Sequence, residues 1–336
     1  MGKSEMKKNI LFVYTNYSTF VKTDFGILSE KHEVVKYQFK PVKGLLKTAF
    51  QMLRQLFYLI FNIWKFDSVF IWFADYHSFL PVLFAKILGK KSFVVVGGYD
   101  VANIPELKYG SFNRPFRAFC AKQSFRYASS CLPVANSLGK AILSICPKAK
   151  VKVIYTGHDS LHYNYTNTKR KKTIFTLSNT NNRQRFIIKG LDRFRDLAIL
   201  LKDFQFVIIG IREEAMELFQ PIPENLILKP PANYNELITA FQESSFYAQF
   251  SRSEGLPGAL CEAMLSGCIP LGSNVGDIKN VIGDAGFVFD HWLPNGIIEF
   301  IIKNHNNPIL RKKARDRVHT NYQLSLRAEK IHELLV

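Results

Sequence analysis

Two glutamates, Glu254 and Glu262, frame the turn Gly255-Leu256-Pro257-Gly258 and the first turn of an apolar helix. Pro257 and Gly258 suit the entry of that helix and leave its leading backbone N–H groups free to face a ligand. With the helix starting near Gly258, Glu262 lies about one turn inside it and Glu254 stands in the preceding loop. Both carboxylates can then face one cleft, at a helix end suited to anions. A second concentration of chemistry lies upstream, in the basic stretch NTNNRQRFIIKGLDR at residues 179–193, with Arg183, Arg185 and a Lys189-Gly190 pair opening a helix.

The stretch over residues 251–278 resembles the signature of retaining glycosyltransferases of family 4, through Ser253, Glu254, Gly255, Pro257, Glu262, Ala263, Met264, Gly267 and Pro270 in order and without gaps. The resemblance implies that Glu254 contacts a donor sugar and that Glu262 holds the ribose of a sugar nucleotide, with residues 255–258 at the donor. Lys189 and Gly190 match the family's Lys-Gly element, whose Arg and Lys bind the donor diphosphate. Arg183 fits the longer form of its spacing, and Arg185 is a nearer rival. Cations are needed there because breaking a sugar–phosphate bond builds negative charge on the departing diphosphate. Pro231 and Ala232 stand where the family holds the nucleotide base.

Other segments agree with the family in part. Gly97-Gly98-Tyr99-Asp100 resembles its HGxD segment, with glycine in place of histidine and Asp100 as an acceptor-side carboxylate; a cap or turn aspartate is the rival reading. Residues 156–159, TGHD, resemble the turn before the interdomain linker, where His158 reads as a base or as a turn histidine held by backbone. The first loop lacks the paired glycines common in the family and offers Tyr17, Ser18, Thr19, Lys22, Thr23 and Asp24 instead. Residues 273–278 replace the usual Gly-Gly…Glu turn. There is no D-x-D of the metal-dependent kind, and the Arg/Lys pair makes a metal unnecessary. The expectation is a nucleotide-sugar co-substrate with no cofactor.

Alternating strands and helices must position these groups. Short apolar runs at KKNILFVY, VVKYQF, DSVFIWF, SFVVVGG, CLPVANS and VKVIY read as strands in the first half, and TIFTLSN, FQFVIIG, LILK and SFYAQF in the second. This pattern predicts an α/β protein of GT-B type, two doubly wound Rossmann-like domains facing an interdomain cleft. The expected boundaries are 1–165 for an acceptor-side domain, 166–310 for a nucleotide-sugar domain and 311–336 for a helix returning to the first. A helix is expected after Ser137 as N-cap. Residues 41–66 form the most apolar helix candidate, but polar residues interrupt it, so it fails as a membrane span. It reads either as a crossover helix on the sheet or as a helix lying on a bilayer surface.

The totals bound the rest. A chain of 336 residues with 47% hydrophobic and 21% charged residues is long enough for two globular cores. Five cysteines without metal or disulfide spacing read as reduced thiols. The N-terminal residues lack the apolar core of a signal peptide, so a cytoplasmic protein is expected, peripheral at the inner membrane face. The net charge of +18 is lopsided: residues 173–336 hold eighteen Lys or Arg and eighteen Asp or Glu, so the whole excess lies in residues 1–172. That half should attract an anionic surface, such as phospholipid headgroups or a lipid pyrophosphate. The implied function is transfer of a sugar, with retained configuration, to a hydroxyl of a glycan or lipid-linked acceptor in cell-surface polysaccharide or glycolipid synthesis. The rivals are a non-catalytic sugar-nucleotide-binding partner and a basic nucleic-acid-binding protein. No nucleic-acid motif accompanies the charge.

Overall fold

The computed structural model describes residues 7–163, 165 and 170–335. The chain divides into two compact units. One runs to Thr156 and takes in the residues from Leu326 onward; the other is Gly157–Ser325.

The first unit contains β1 (Asn9–Tyr14), α1 (Thr19–Lys31), β2 (Glu33–Gln38), α2 (Leu45–Asn62), β3 (Ser68–Trp72), α3 (Tyr76–Ile87), β4 (Lys91–Val96), α4 (Pro115–Tyr127), β5 (Ser130–Pro133) and α5 (Asn136–Ile145). Its strands lie in the order β2-β1-β3-β4-β5, all parallel. β3 is buried along its whole length, and β1 and β4 are buried beyond their first residue. Apolar runs of this kind are covered by helices on both faces, as parallel ladders require. Segment 151–155, expected as a strand, instead runs beside β5 with one isolated bridge, Cys131 to Val151. α5 starts at Asn136 with Ala135 as its cap, two residues earlier than a Ser137 cap would place it.

The second unit contains β6 (Lys171–Thr180), α6 (Arg183–Ile188), α7 (Leu191–Leu200), β7 (Gln205–Ile211), β8 (Leu226–Lys229), α8 (Tyr234–Glu243), β9 (Ser244–Gln249), α9 (Gly258–Leu265), β10 (Ile269–Ser273), α10 (Ile278–Ile282), β11 (Phe287–Phe289), α11 (Pro294–Asn304) and α12 (Pro308–Asn321). Its six strands are parallel in the order β11-β10-β9-β6-β7-β8. Both sheets are thus doubly wound α/β layers, in agreement with the alternation in the sequence. β10 and β11 were not anticipated, because Pro270 and Gly272 disguise the fully buried run IPLGS as loop.

The C-terminal stretch is two helices rather than one. α12 ends at Asn321, and α13 (Leu324–Leu335) follows after Gln323 pairs with His158 in a short parallel bridge. The His158 N–H donates to the Tyr322 carbonyl (2.9 Å), so residues just past Thr156 already belong to the second unit. The expected junction in HYNYTNTKRKK therefore lies later than the division seen, and residues 164 and 166–169 of that stretch fall outside the described residues. α13 is tied to the first unit by a buried ion pair, in which Arg327 donates to both oxygens of Asp24 at 2.6 Å. All five cysteines are buried thiols, and burial pushes Cys120 and Cys131 up to about 12. Among the described residues no helix is long and apolar enough to cross a membrane.

Candidate active site

In a doubly wound sheet, ligands bind beyond the carboxyl ends of the strands where the strand order reverses. In the second unit that place lies between β6 and β9. The loop leaving β6 leads to α6 and Lys189; the loop leaving β9 carries Glu254. The sheet thus brings together two groups sixty-five positions apart: Lys189 Nζ donates to Glu254 Oε2 at 2.7 Å. The same oxygen accepts from Ser251 Oγ (3.1 Å) and Gln249 Nε2 (3.2 Å). Glu254 keeps 16% of its side chain in solvent and Lys189 keeps 31%. Both are held in place and remain reachable.

Two glycines set this geometry. Gly190 has φ +67°, and a Cβ there would collide with the Phe250 carbonyl, so the Lys189 turn can approach the β9 loop only with glycine. Gly276, at φ +60°, passes so close to the Glu254 carbonyl that a Cβ would collide with it, and the Asp277 N–H donates to the Gly255 carbonyl (3.1 Å). Residues 273–278 therefore brace the glutamate loop from behind. Arg252 closes the other side. It donates to both Asp192 oxygens (2.7 and 2.6 Å) and to the Ile187 carbonyl (2.7 Å), fastening the loop to α6 and α7.

α9 begins at Gly258 after Pro257, and no side chain caps it. Its leading N–H groups consequently have no intrahelical or side-chain acceptor, which suits an anion. Gly255, Leu256 and Pro257 are buried in the turn. Glu262 lies one turn into α9 with 28% of its side chain exposed. Burial raises its carboxyl above the ordinary 4.5, and a hydrogen bond from Tyr163 opposes that rise. Tyr163 also bonds Tyr234, the first residue of α8, and both phenols are pushed up by burial. His158 Nδ1 stands 3.9 Å from Glu262 Oε1. Burial lowers the imidazole to about 4, so at neutral pH it is uncharged and the contact is no ion pair.

The remaining candidates divide. Arg183 opens α6 as an exposed cation without an ion-pair partner among the described residues. Arg185 donates to the Asn179 carbonyl at 2.9 Å, and its own N–H is taken by the Asn182 cap. Pro231 is exposed and Ala232 half-buried in the loop before α8, two residues ahead of Tyr234. Asp100 has the contacts of the rival reading, a turn aspartate. It is 1% exposed, in the first unit, and its oxygens accept from the N–H groups of Gly98 (2.7 Å), Gly97 (3.2 Å) and Ala74 (3.2 Å). Its carboxylate is committed to shaping the loop after β4. Among the described residues no three His, Cys, Asp or Glu side chains gather as a metal site.

Sequence reasoning missed Tyr163, Tyr234, Gln249 and Arg252. Tyr163 and Tyr234 come to Glu262 only through folding, Gln249 holds Glu254 from the end of β9, and Arg252 touches neither glutamate but anchors their loop to Asp192.

Several solved structures share this fold across nearly the whole chain. Sucrose-phosphate synthase from Thermosynechococcus elongatus superposes with a TM-score of 0.77 at 12% identity, over 98% of each chain. A glycosyltransferase from Rickettsia africae gives 0.73 at 15% identity, over 98% of this chain and 97% of that one. HepE from Anabaena, solved with UDP-glucose, gives 0.71 at 14% identity, over 98% and 99%. These likenesses are of fold, the GT-B type. No curated protein matches the sequence. Residues 164–320, which carry Lys189, Glu254 and Glu262, match the family model for glycosyl transferases group 1.

Proposed function

We propose that the protein is a retaining glycosyltransferase of family 4 type, moving a sugar from a nucleotide-sugar donor to a hydroxyl of a glycan or lipid-linked acceptor. The observation that carries this reading is the meeting of Lys189 with Glu254 at 2.7 Å beside the uncapped start of α9. The match of residues 164–320 to glycosyl transferases group 1 supports it. So does the UDP-glucose bound by HepE, which shares the fold.

In this reading Lys189 and Arg183 hold the donor diphosphate, together with the free N–H groups of α9. Glu254 orients the sugar and Glu262 holds the ribose. The neutral His158 and the Tyr163–Tyr234 pair fix the position of Glu262. The bond from the anomeric carbon to the phosphate oxygen breaks, and its electron pair leaves with the diphosphate. The acceptor oxygen bonds to the same carbon from the departing face, and its proton passes to the leaving phosphate oxygen. Fixed cations stabilise the charge that develops there, the service a divalent ion gives in metal-dependent transferases.

The test is a thermal-shift series with UDP-, GDP- and ADP-sugars, run on wild type and Glu262→Ala. Binding stabilises by RT ln(1 + [L]/Kd), so one nucleotide class should raise the unfolding temperature of wild type only. A rise equal in the variant, or none with any donor, would remove the donor-site reading and favour a partner protein without transferase activity.

A further inference from the structure

Helix α2 packs Leu59 and Tyr58 against the core and carries a second apolar stripe that faces outward. Leu46, Phe50, Leu53, Phe57, Phe61 and, in the turn just beyond it, Trp64 recur at spacings of three and four, which places them on one face. They are 87%, 66%, 48%, 53%, 70% and 65% exposed. The face turned to the protein is the one carrying Gln55 and Leu59, both buried, with Gln55 donating to the His77 carbonyl (2.9 Å). A crossover helix of a soluble domain buries its apolar stripe and shows its amides to water. Here the buried face carries an amide beside Leu59, and a full stripe of large apolar side chains is left outside.

The surroundings carry charge of one sign. Residues 40–66 contain Lys40, Lys43, Lys47, Arg54 and Lys65 and no Asp or Glu. At the N-terminal end of α2 a cavity of about 590 Å³ is lined by Lys43, Leu45, Arg114 and Phe116, among others. Neither Lys43 nor Arg114 forms an ion pair among the described residues. A second copy of this chain is a poor occupant for the stripe, because a two-fold contact would set these cations against themselves. An anionic bilayer satisfies both features: its acyl region takes the aromatics and its phosphates take the cations.

We propose that α2 is a monotopic docking helix, lying in the plane of a bilayer rich in anionic phospholipid, with the Lys43–Arg114 cavity seating a lipid phosphate. The docking goes beyond the donor-site reading and does not depend on it, since it is measured without sugar nucleotide.

Sedimentation of the full chain with vesicles tests it. The chain should pellet with phosphatidylcholine vesicles containing phosphatidylglycerol, weakly with phosphatidylcholine alone, and less as salt rises. Phe50→Ser with Phe57→Ser should lower partitioning by roughly tenfold or more while the unfolding temperature changes little, because both side chains are more than half exposed in the free protein. Lys43→Ser with Arg114→Ser should abolish the preference for phosphatidylglycerol. Brominated lipid should quench the fluorescence of Trp64, read as the part lost in Trp64→Phe. The proposal is overturned if wild type pellets with neither vesicle, or if the double Phe variant binds like wild type. It is equally overturned if lipid-free protein forms a concentration-dependent dimer that the Phe variant loses.

Discussion

Glu254 and Asp100 are both carboxylates in loops that leave parallel strands, and they are held in opposite ways. Glu254 is gripped by side chains, that of Lys189 from distant sequence and those of Gln249 and Ser251 from its own strand end and loop, and stays partly in solvent. Asp100 is gripped by the N–H groups of its own loop and of Ala74, and is sealed off. A side-chain grip can be exchanged for a ligand at little cost, since each partner merely changes its hydrogen bond. A backbone grip cannot, because releasing it leaves buried N–H groups unpaired. The motif position of a carboxylate is therefore a weaker guide to its work than what holds it.

Breaking each grip should separate the two. Asp100→Ala leaves three backbone donors buried without an acceptor and should lower unfolding free energy by about 3 kcal/mol or more; urea denaturation reads this directly. Nucleotide-sugar thermal shifts should persist in the folded variant. An equal loss of donor binding would restore Asp100 to the site.

The pH dependence sharpens the contrast. Burial raises the Asp100 carboxyl from 3.8 to about 6, against the pull of its backbone hydrogen bonds. An acid whose folded value is raised contributes stability that is full below the unfolded value and is lost as pH rises through the folded value. The Asp100 contribution should thus fall by about 2 kcal/mol between pH 4 and 7. Urea midpoints across that range should show the fall in wild type and a flatter course in Asp100→Asn.

At the other grip, Lys189→Ala should cut transfer by roughly 10²-fold, read in kcat of a transfer assay once the donor is known. The smallest effect is expected from Glu254→Gln on stability, under about 1 kcal/mol, because the pair it breaks is partly solvated. A larger loss in urea would mean that Glu254, like Asp100, is chiefly a structural carboxylate.

The alternation of strands and helices was legible because each buried strand is a short apolar run between polar stretches. β10 was hidden because Pro270 and Gly272 read as breakers, and Gly272 is there to admit Ile278 and Ile282 against the strand. The division of the C-terminus into α12 and α13 was hidden because a backbone pairing with His158, over 160 positions away, makes it. In the candidate site, Glu254, Glu262, Lys189 and Gly190 stand in fixed spacings, and the fold brings Lys189 to Glu254. Tyr163 and Tyr234 were not legible, since a tyrosine at the end of an irregular segment carries no sign of the carboxyl it will meet. The exposed stripe of α2 was visible as periodicity, but periodicity alone does not say which face a protein buries.

The close passages of Gly190 over the Phe250 carbonyl and Gly276 over the Glu254 carbonyl have a consequence for protein engineering. The segment SEGLPGALCEAM carries both glutamates, yet its shape is imposed by two residues it does not contain. Grafted alone into another α/β scaffold it would bring the acids without their placement, so a transplantable unit must reach at least from Lys189 to Gly276.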